Sequence, residues 1–469
     1  MSPRKNNPKK VYFIGIKGVA MAGLAVMAKE LGYAVAGSDV KETFITDELL
    51  KKHQIHFYEG FDADNLKTEQ PDIVVVGAAY GANNPEVKAL KARRLKVVTQ
   101  SEMLGEIMTA YETVGVAGVH GKTTTSSMLA LILEQAGFSP SYMIGTSSIP
   151  GLPDSAHIGS GQYFVVEADE YKKSEADIAP KFLDYPIRHL IVTSIELDHP
   201  DIYPSAEHVY QVFYQLCLKI PRGGTVVANT DWPLVRRLVS RLADRHCLSY
   251  GFEPSAKFQI VDVSDGEKTI FSIKWPKLII GPIELAMPGR HNILNATAAV
   301  LMARELGVNQ VSIEKTLRSF VGPKRRFEYL GTINGALYYD DYAHHPTALE
   351  FLIEAAKKRF PTKKIIVVFQ PHTYSRTGRL LEEFGRSLKD ADRVVILNIW
   401  ASAREKSGYV TVGDLLTEIR KHRRDVEYRA SLEEVTTYLA GSVGKGDVVL
   451  LVGAGDVYKI YDKLAARPN

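Results

Sequence analysis

Gly115-Val-Ala-Gly118-Val-His120-Gly121-Lys122-Thr123-Thr124 stands between an apolar run, Thr113 to Ala117, and the helical pattern TTTSSMLALILEQAG. A strand that turns through glycines into a helix offers backbone N–H groups and the positive helix end to an anion. Lys122 adds a cation for phosphate oxygens, and Thr123 adds a hydroxyl suited to Mg²⁺. Gly118, His120, Gly121, Lys122, Thr123 and Thr124 are therefore candidates for gripping a nucleoside triphosphate. The spacing departs from GxxxxGK[ST], whose first glycine would fall at Val116. The competing reading, a glycine-rich turn with a surface lysine, fits the strand-loop-helix setting less well.

Two further apolar runs end in groups that could serve such a site. Glu167, Asp169 and Glu170 follow FVV, and Glu196, Asp198 and His199 follow LIVTSI. Mg²⁺ takes oxygen ligands, commonly one or two carboxylates together with substrate phosphates. Glu167 is the first choice. The alternative is that these charges are solvated caps of the following helices, with His199 a structural imidazole.

A second glycine turn, Gly15-Ile-Lys-Gly18-Val-Ala-Met-Ala-Gly23, follows the first strand, and Ser38-Asp39 closes the next. It looks like a dinucleotide fingerprint, except that Lys17 stands where the second glycine of GxGxxG belongs. A nicotinamide dehydrogenase with Asp39 on the ribose hydroxyls is the natural rival. Such an enzyme has no use for a second phosphate loop with metal carboxylates downstream. Two nucleotide-type sites in one chain point to ATP plus a nucleotide-linked substrate, while a non-catalytic nucleotide sensor stays open.

The elements that must position these groups are legible as an alternation. Short β-branched runs, Val11 to Ile14, Ile73 to Val76, Thr113 to Ala117, Phe164 to Val166, Leu190 to Ser194, Ile365 to Phe369, Val394 to Leu397 and Val448 to Val452, are separated by longer helical segments. This predicts an α/β protein with parallel sheets, whose ligands gather at the carboxyl ends of strands. At 469 residues the chain exceeds one core. Three domains are expected, 1–110, 111–322 and 323–469, the first read as two βα units. The second carries an antiparallel insert around Phe258 to Leu285.

Composition narrows the class. With 45% hydrophobic and 24% charged residues, extended disorder and a membrane bundle are disfavoured. A formal charge of +4 is too weak to demand nucleic acid or an anionic membrane. Cys217 and Cys247 have no metal or redox spacing and read as small buried hydrophobes of a reducing compartment. The basic N-terminus before VYFIGIKGVAMAGLAVMA imitates a secretory signal, but Lys17 interrupts it and the helical pattern continues through Lys29-Glu30. A cytoplasmic location is expected.

GIKGVAMAG, HGKTTT, EADEY, ELDHPDIY, MPGRHNILNA, GPKRRFEY, DDYAHHPT, FQPHTYSRT, SAREKSG and GAGD, in this order over essentially the whole chain, resemble the Mur ligases, the ATP-dependent amide-forming enzymes of peptidoglycan stem-peptide synthesis. FQPHTYSRT and the first glycine turn are similar to members that add L-alanine to UDP-N-acetylmuramate. DDYAHHPT and the glycine turn are shared with members that attach a recovered tripeptide to that sugar, which differ where FQPHTYSRT stands, so that segment decides between them. The resemblance implies a Rossmann-like N-terminal domain for the UDP moiety, a central P-loop ATPase-type domain with a mixed sheet, and a Rossmann-like C-terminal domain that closes over the site.

Carried across residue by residue, the resemblance implies Lys122 on the β- and γ-phosphates, Thr123 and Glu167 on Mg²⁺, and His199 in a second metal region. It implies Asn292 and Asn295 near adenine, and Arg326 and Asp341 reaching the nucleotide from the C-terminal domain. His345, His372 and Arg376 would meet the sugar carboxylate and the amino acid, and Gly15, Gly18, Ser38 and Asp39 the UDP-sugar. The chemistry expected is an acyl phosphate formed from ATP and attacked by the alanine amine. His199 or His345 is the candidate proton acceptor, against a role in orientation or metal contact. Closure about a hinge near Val321-Gly-Pro323 would bring in Arg326 and Asp341. Tyr171-Lys-Lys after EADE departs from the family's small polar residues.

Overall fold

The structure, a computed structural model, describes residues 8–90, 95–174, 177–266, 268–276, 278–401, 405 and 407–467. Ser402, Ala403, Arg404 and Lys406 of SAREKSG, and the basic residues before Pro8, lie outside that set. Three sheets succeed one another along the chain. The first has five parallel strands in the spatial order His56–Glu59, Ala34–Asp39, Lys10–Ile14, Ile73–Val76, Lys96–Thr99. Two βα units were expected there. His56–Glu59 and Lys96–Thr99 escaped that reading because they are edge strands with no fully buried residue, so neither shows a continuous apolar run.

The second sheet has ten strands. At its centre Glu112–Ala117 lies between Tyr163–Glu167 and His189–Val192, all parallel. These three neighbours carry the phosphate loop and both acidic clusters at their carboxyl ends, so groups some eighty residues apart in sequence converge on one edge. The expected run Leu190 to Ser194 leaves the ladder after Val192. Thr193 and Ser194 stay beside the phosphate loop and bind it with backbone and side chain: Thr193 N donates to Ala117 O at 3.0 Å, Thr193 Oγ1 to the same oxygen at 3.2 Å, and Ser194 Oγ accepts from His120 N at 2.8 Å. Phe258–Asp265, Thr269–Trp275 and Leu278–Leu285 form the expected antiparallel insert.

The third sheet runs Glu328–Ile333, Ala336–Asp341, Asp447–Val452, Lys364–Phe369, Arg393–Ile396, Val426–Tyr428, parallel except for the first pair. Its central strands, such as Val448–Val452 and Ile365–Phe369, are buried throughout, as helices on both faces require. In the middle unit the helix Lys122–Gln135 packs against Arg290–Glu305, whose Ala296, Ala299 and Ala303 are buried among the larger side chains Leu129 and Leu133. This contact fixes the phosphate loop, at one helix start, beside Asn292 and Asn295, at the other. Cys217 is buried and Cys247 only half-buried, both free. Among the described residues no helix is long and apolar enough to cross a membrane.

Candidate active site at the junction of the three units

The phosphate loop is built by two glycines that no other residue could replace without strain. Gly118 has φ +140° and a Cβ there would lie 2.0 Å from Thr193 Oγ1; Gly121 has φ +82° and its Cβ would lie 2.2 Å from Asn295 Oδ1. Gly121 also caps the helix that Lys122 begins. Lys122 Nζ donates to Gly118 O at 2.6 Å and to both oxygens of Glu170 at 2.9 and 2.8 Å. Burial works against its charge, but Glu170, Asp169 and Glu167 outweigh burial and raise its pKa. Thr123 Oγ1 donates to Glu167 Oε1 at 3.1 Å and accepts from Arg326 Nη2 at 3.2 Å. Glu167 Oε2 accepts from Gly145 N at 2.9 Å. Burial pushes the Glu167 carboxyl up despite the opposing charge of Lys122.

Beside this loop lies a cavity of about 710 Å³, open mouth included, lined by Thr124, Trp232, His291, Asn292, Asn295 and Asp341 among others. Gly121, His120 and Arg326 also face it. Asn292 Nδ2 donates to Pro288 O at 2.7 Å, and Asn295 is turned toward Asn292. Asp341 accepts from Phe327 N and Ala343 N, both at 2.8 Å; burial raises its pKa against the pull of Arg326. The sequence-derived Asn292, Asn295, Arg326 and Asp341 are thus brought to one cavity with Gly121 and Thr124. Trp232 and His291 were not singled out from sequence, because an aromatic without neighbours of known role carries no local signal.

Two clusters of ligating side chains flank the loop. In the first, atoms of Glu170, Asp198 and His199 lie within 4.8 Å of one another. His199 Nε2 is 3.8 Å from Glu170 Oε1 and 3.7 Å from Asp198 Oδ2, and its ring meets Tyr171 edge-on at 4.9 Å. Tyr171 Oη donates to Asp201 at 3.0 Å, and Lys181 pairs with Asp169 at 3.0 Å. The departure Tyr171-Lys-Lys therefore gives the His199 loop an aromatic support. Lys181 and Lys122, overcoming burial, hold Asp169 below the usual carboxylate range.

Asp198 reaches across to the third unit, where Arg376 Nε donates to it at 2.9 Å. Burial opposes its ionisation, but His199 and Arg376 hold it well below its ordinary range. Arg376 Nη1 also donates to His372 O at 3.1 Å. Burial and Arg376 push His372 down to about 4 and His344 well below its usual value.

The second cluster, His120, Glu196 and His345, joins the phosphate loop to the third unit. His120 Nε2 is hydrogen-bonded to Glu196 Oε1, and Thr347 donates to Glu196 Oε2 at 3.2 Å. His345 Nδ1 caps the helix Pro346–Arg359 by accepting from Thr347 N at 3.4 Å, and Nε2 lies 3.2 Å from Leu197 O. Burial and then His120 push it down to about 4, so it is neutral near pH 7. Both its nitrogens are engaged, an orienting arrangement rather than that of a free proton acceptor.

In the first unit the glycine turn sits over the second strand: Gly15 N and Ile16 N donate to Ser38 O at 2.8 and 3.1 Å, and Gly18 leads into the helix Val19–Glu30. Ser38 donates to Glu86. Asp39 accepts from Lys17 N at 2.7 Å, Val40 N at 2.8 Å and Tyr80 Oη at 2.7 Å. The side chains of Ser38 and Asp39 are buried and brace the turn from below. Lys17 is only 1% exposed: its Nζ donates to Val40 O at 3.1 Å and Glu42 O at 2.9 Å and lies 3.3 Å from Asp47. The residue that breaks the glycine fingerprint is therefore an internal tie to the loop after the second strand. A cavity of about 520 Å³, open mouth included, runs from Val19 and Ala20, at the start of the helix after this turn, to Gly145, Asp169 and Glu167, the partner of Thr123.

Residues 10–112 match the family described as Mur ligase family, catalytic domain, residues 116–303 the Mur ligase middle domain, and residues 325–455 the Mur ligase, glutamate ligase domain. The chain is 38% identical over 460 residues to a UDP-N-acetylmuramate–L-alanine ligase of Desulfitobacterium hafniense (97% of this chain, 99% of that protein) and 37% identical over 462 residues to one of Alkaliphilus metalliredigens (98% and 97%). Among solved structures it is similar to the UDP-N-acetylmuramate-alanine ligase of Thermotoga maritima, with TM-score 0.79 and 24% identity over 97% of this chain and 98% of that one. A murein peptide ligase of Psychrobacter arcticus superposes with TM-score 0.75, also at 24% identity and over 97% of this chain and 98% of that one. With three consecutive family matches and relatives aligned over nearly their whole length, the chain belongs to the Mur ligase family.

Proposed function

We propose that the chain is an ATP-dependent ligase that joins L-alanine to the lactyl carboxylate of UDP-N-acetylmuramate in peptidoglycan synthesis, working in the cytoplasm. The observation that carries this reading is that Arg326, from the third unit, donates to the Thr123 hydroxyl that is itself bonded to Glu167, one residue from Lys122 and its partner Glu170. The sequence resemblance to proteins named for that reaction supports the choice of amino acid. In this assignment residues 1–110 hold the UDP-sugar through the Gly15–Gly18 turn, residues 111–322 hold ATP, and residues 323–469 close over both.

A carboxylate is a poor electrophile, so the γ-phosphoryl group is moved onto it and ADP departs. The alanine amine then attacks the acyl carbon, phosphate leaves, and the amine proton passes to a base. Transfer of a phosphoryl group needs positioning and charge neutralisation more than covalent assistance. Lys122 would exchange its bond to Glu170 for phosphate oxygens. Arg326 and Asp341 would hold the nucleotide from the third unit, with adenine near Asn292 and Asn295.

The hydroxyl of Thr123 and the half-buried carboxylate of Glu167 form an oxygen donor set suited to Mg²⁺, and the Glu170, Asp198, His199 cluster suits a second ion. When bound, Mg²⁺ neutralises charge on the transferring phosphoryl group. His199 is the imidazole of that second cluster, and His345 orients the loop after Glu196. Arg376 and His372 line the approach for the amino acid. Water must be kept from the acyl phosphate, and the contacts Arg376 to Asp198 and Thr347 to Glu196 hold the third unit down on the second.

The test is phosphate release by the purified protein with ATP, Mg²⁺ and UDP-N-acetylmuramate, across L-alanine, glycine, L-serine and the tripeptide. Release that depends on L-alanine supports the reading. Release only with the tripeptide, or nicotinamide reduction in place of amide formation, overturns it.

A further inference from the structure

Arg325 and Asp340 each stand one residue before a side chain assigned to the nucleotide, Arg326 and Asp341, and they form a pair of their own. Arg325 Nε donates to Asp340 Oδ2 at 2.9 Å and its Nη2 donates to Gly453 O at 2.6 Å. The guanidinium lies between two rings, 5.0 Å from the centroid of Tyr342 and 4.7 Å from that of Tyr458. Its backbone is equally tied: Arg325 N donates to Glu328 Oε2 at 2.9 Å, and Tyr342 N donates to Arg325 O at 2.8 Å. Arg325 thus fastens together the segment that bears Arg326, the strand that ends in Asp341, and the loop after Asp447–Val452.

This pair is a poor stabiliser by itself. Asp340 is 2% exposed and its Oδ1 has no hydrogen-bond partner among the described residues. A buried ion pair with an orphaned oxygen gives little net stability, and apolar side chains of like volume would hold the strand at least as well. What it provides is direction: a planar fork fixes the orientation of what it binds. Asp340 and Asp341 are successive residues of the strand Ala336–Asp341 and point to opposite sides, and the turn at Arg325, with φ +62°, parts Arg325 from Arg326 in the same way, so pinning Arg325 and Asp340 together fixes how Arg326 and Asp341 stand. The difference in surroundings agrees, since Arg326 and Asp341 line the cavity beside Gly121 while Arg325 and Asp340 line a separate cleft with Lys52, Asp154 and Tyr461.

We infer that Arg325, through its paired contact with Asp340 and Gly453, is a positioning residue that sets Arg326 against the nucleotide phosphates. The inference rests on the proposed role of Arg326 in the ATP site. The test is a double-mutant cycle in the full chain with Arg325→Lys, which keeps the charge and loses the fork, and Arg326→Ala. Arg325→Lys alone should lower kcat/KM for ATP by about tenfold to a hundredfold, the scale of a misplaced catalytic contact. Calorimetric affinity for UDP-N-acetylmuramate should stay within about twofold, inside the scatter expected of a distant site. In the Arg326→Ala background the same substitution should add little.

Unchanged kcat/KM for ATP in Arg325→Lys, or a loss that adds in full to that of Arg326→Ala, overturns the inference and leaves the ligase reading standing. If Arg326→Ala alone is without effect, the nucleotide role of Arg326 falls first and the inference falls with it. Should Arg325→Lys fail to fold, judged by its unfolding midpoint, Asp340→Asn keeps the shape and carries the same cycle to the same outcomes.

Discussion

Arg326→Ala is the substitution that most directly separates chemistry from substrate capture. The guanidinium donates to Thr123 Oγ1 at 3.2 Å, so phosphate oxygens held by Lys122 and Thr123 would lie about 4 Å from its charge. At that distance and an effective dielectric near 20, one unit charge is worth about 4 kcal/mol. Arg326 is half-buried, and halving the figure for solvent screening gives about 2 kcal/mol. At 1.36 kcal/mol per decade, kcat should fall between about 30-fold and about 1000-fold. The Gly15–Gly18 turn, to which we assign the UDP-sugar, belongs to another sheet, so affinity for UDP-N-acetylmuramate should change little. Steady-state phosphate release gives kcat, and calorimetry with the nucleotide sugar alone gives the affinity. An equal loss of both, or of neither, refutes closure of the third unit onto the phosphates as the source of the rate.

Lys122→Ala should abolish amide formation while the UDP-sugar still binds, read by the same two assays; loss of both means the two nucleotide sites are misassigned. Gly121→Ala places a Cβ 2.2 Å from Asn295 Oδ1 at φ +82°, so KM for ATP should rise, with a backbone cost of about 1–2 kcal/mol visible in the unfolding midpoint. Lys17→Ala leaves Asp47 buried without its cation and should cost about 3–5 kcal/mol, measured by denaturant unfolding. His345 is held near 4 when folded but titrates near 6.5 when unfolded, so the unfolded state binds the extra proton between these values. Its contribution is therefore intact above about pH 6.5 and is lost as pH falls toward 4. His345→Gln should lose less stability than the parent chain between pH 7 and 5, and parallel curves would contradict the burial argument.

The candidate site was legible where one short segment sets its own geometry. The phosphate loop is such a segment, because glycines, Lys122 and Thr123 act through local backbone geometry and the helix that begins there. The acidic ends of neighbouring strands, Glu167 and Asp198 among them, were legible for the same reason, as was the antiparallel insert at Phe258–Leu285. Edge strands such as His56–Glu59 were not, since half-exposed residues leave no periodic signature.

What only the tertiary structure decided is pairing over distance. Lys122 with Glu170, Asp198 with Arg376, and His120 with Glu196 and His345 join residues from different strands or different units, and nothing in their own neighbourhoods selects the partner. Lys17 read as a flaw in a glycine turn until its buried contacts with Val40, Glu42 and Asp47 made it a brace. Local motif and hydrophobic period depend on nearest neighbours along the chain, whereas a buried charge is tolerated only where packing brings its counter-charge within reach, and that is a property of the folded whole.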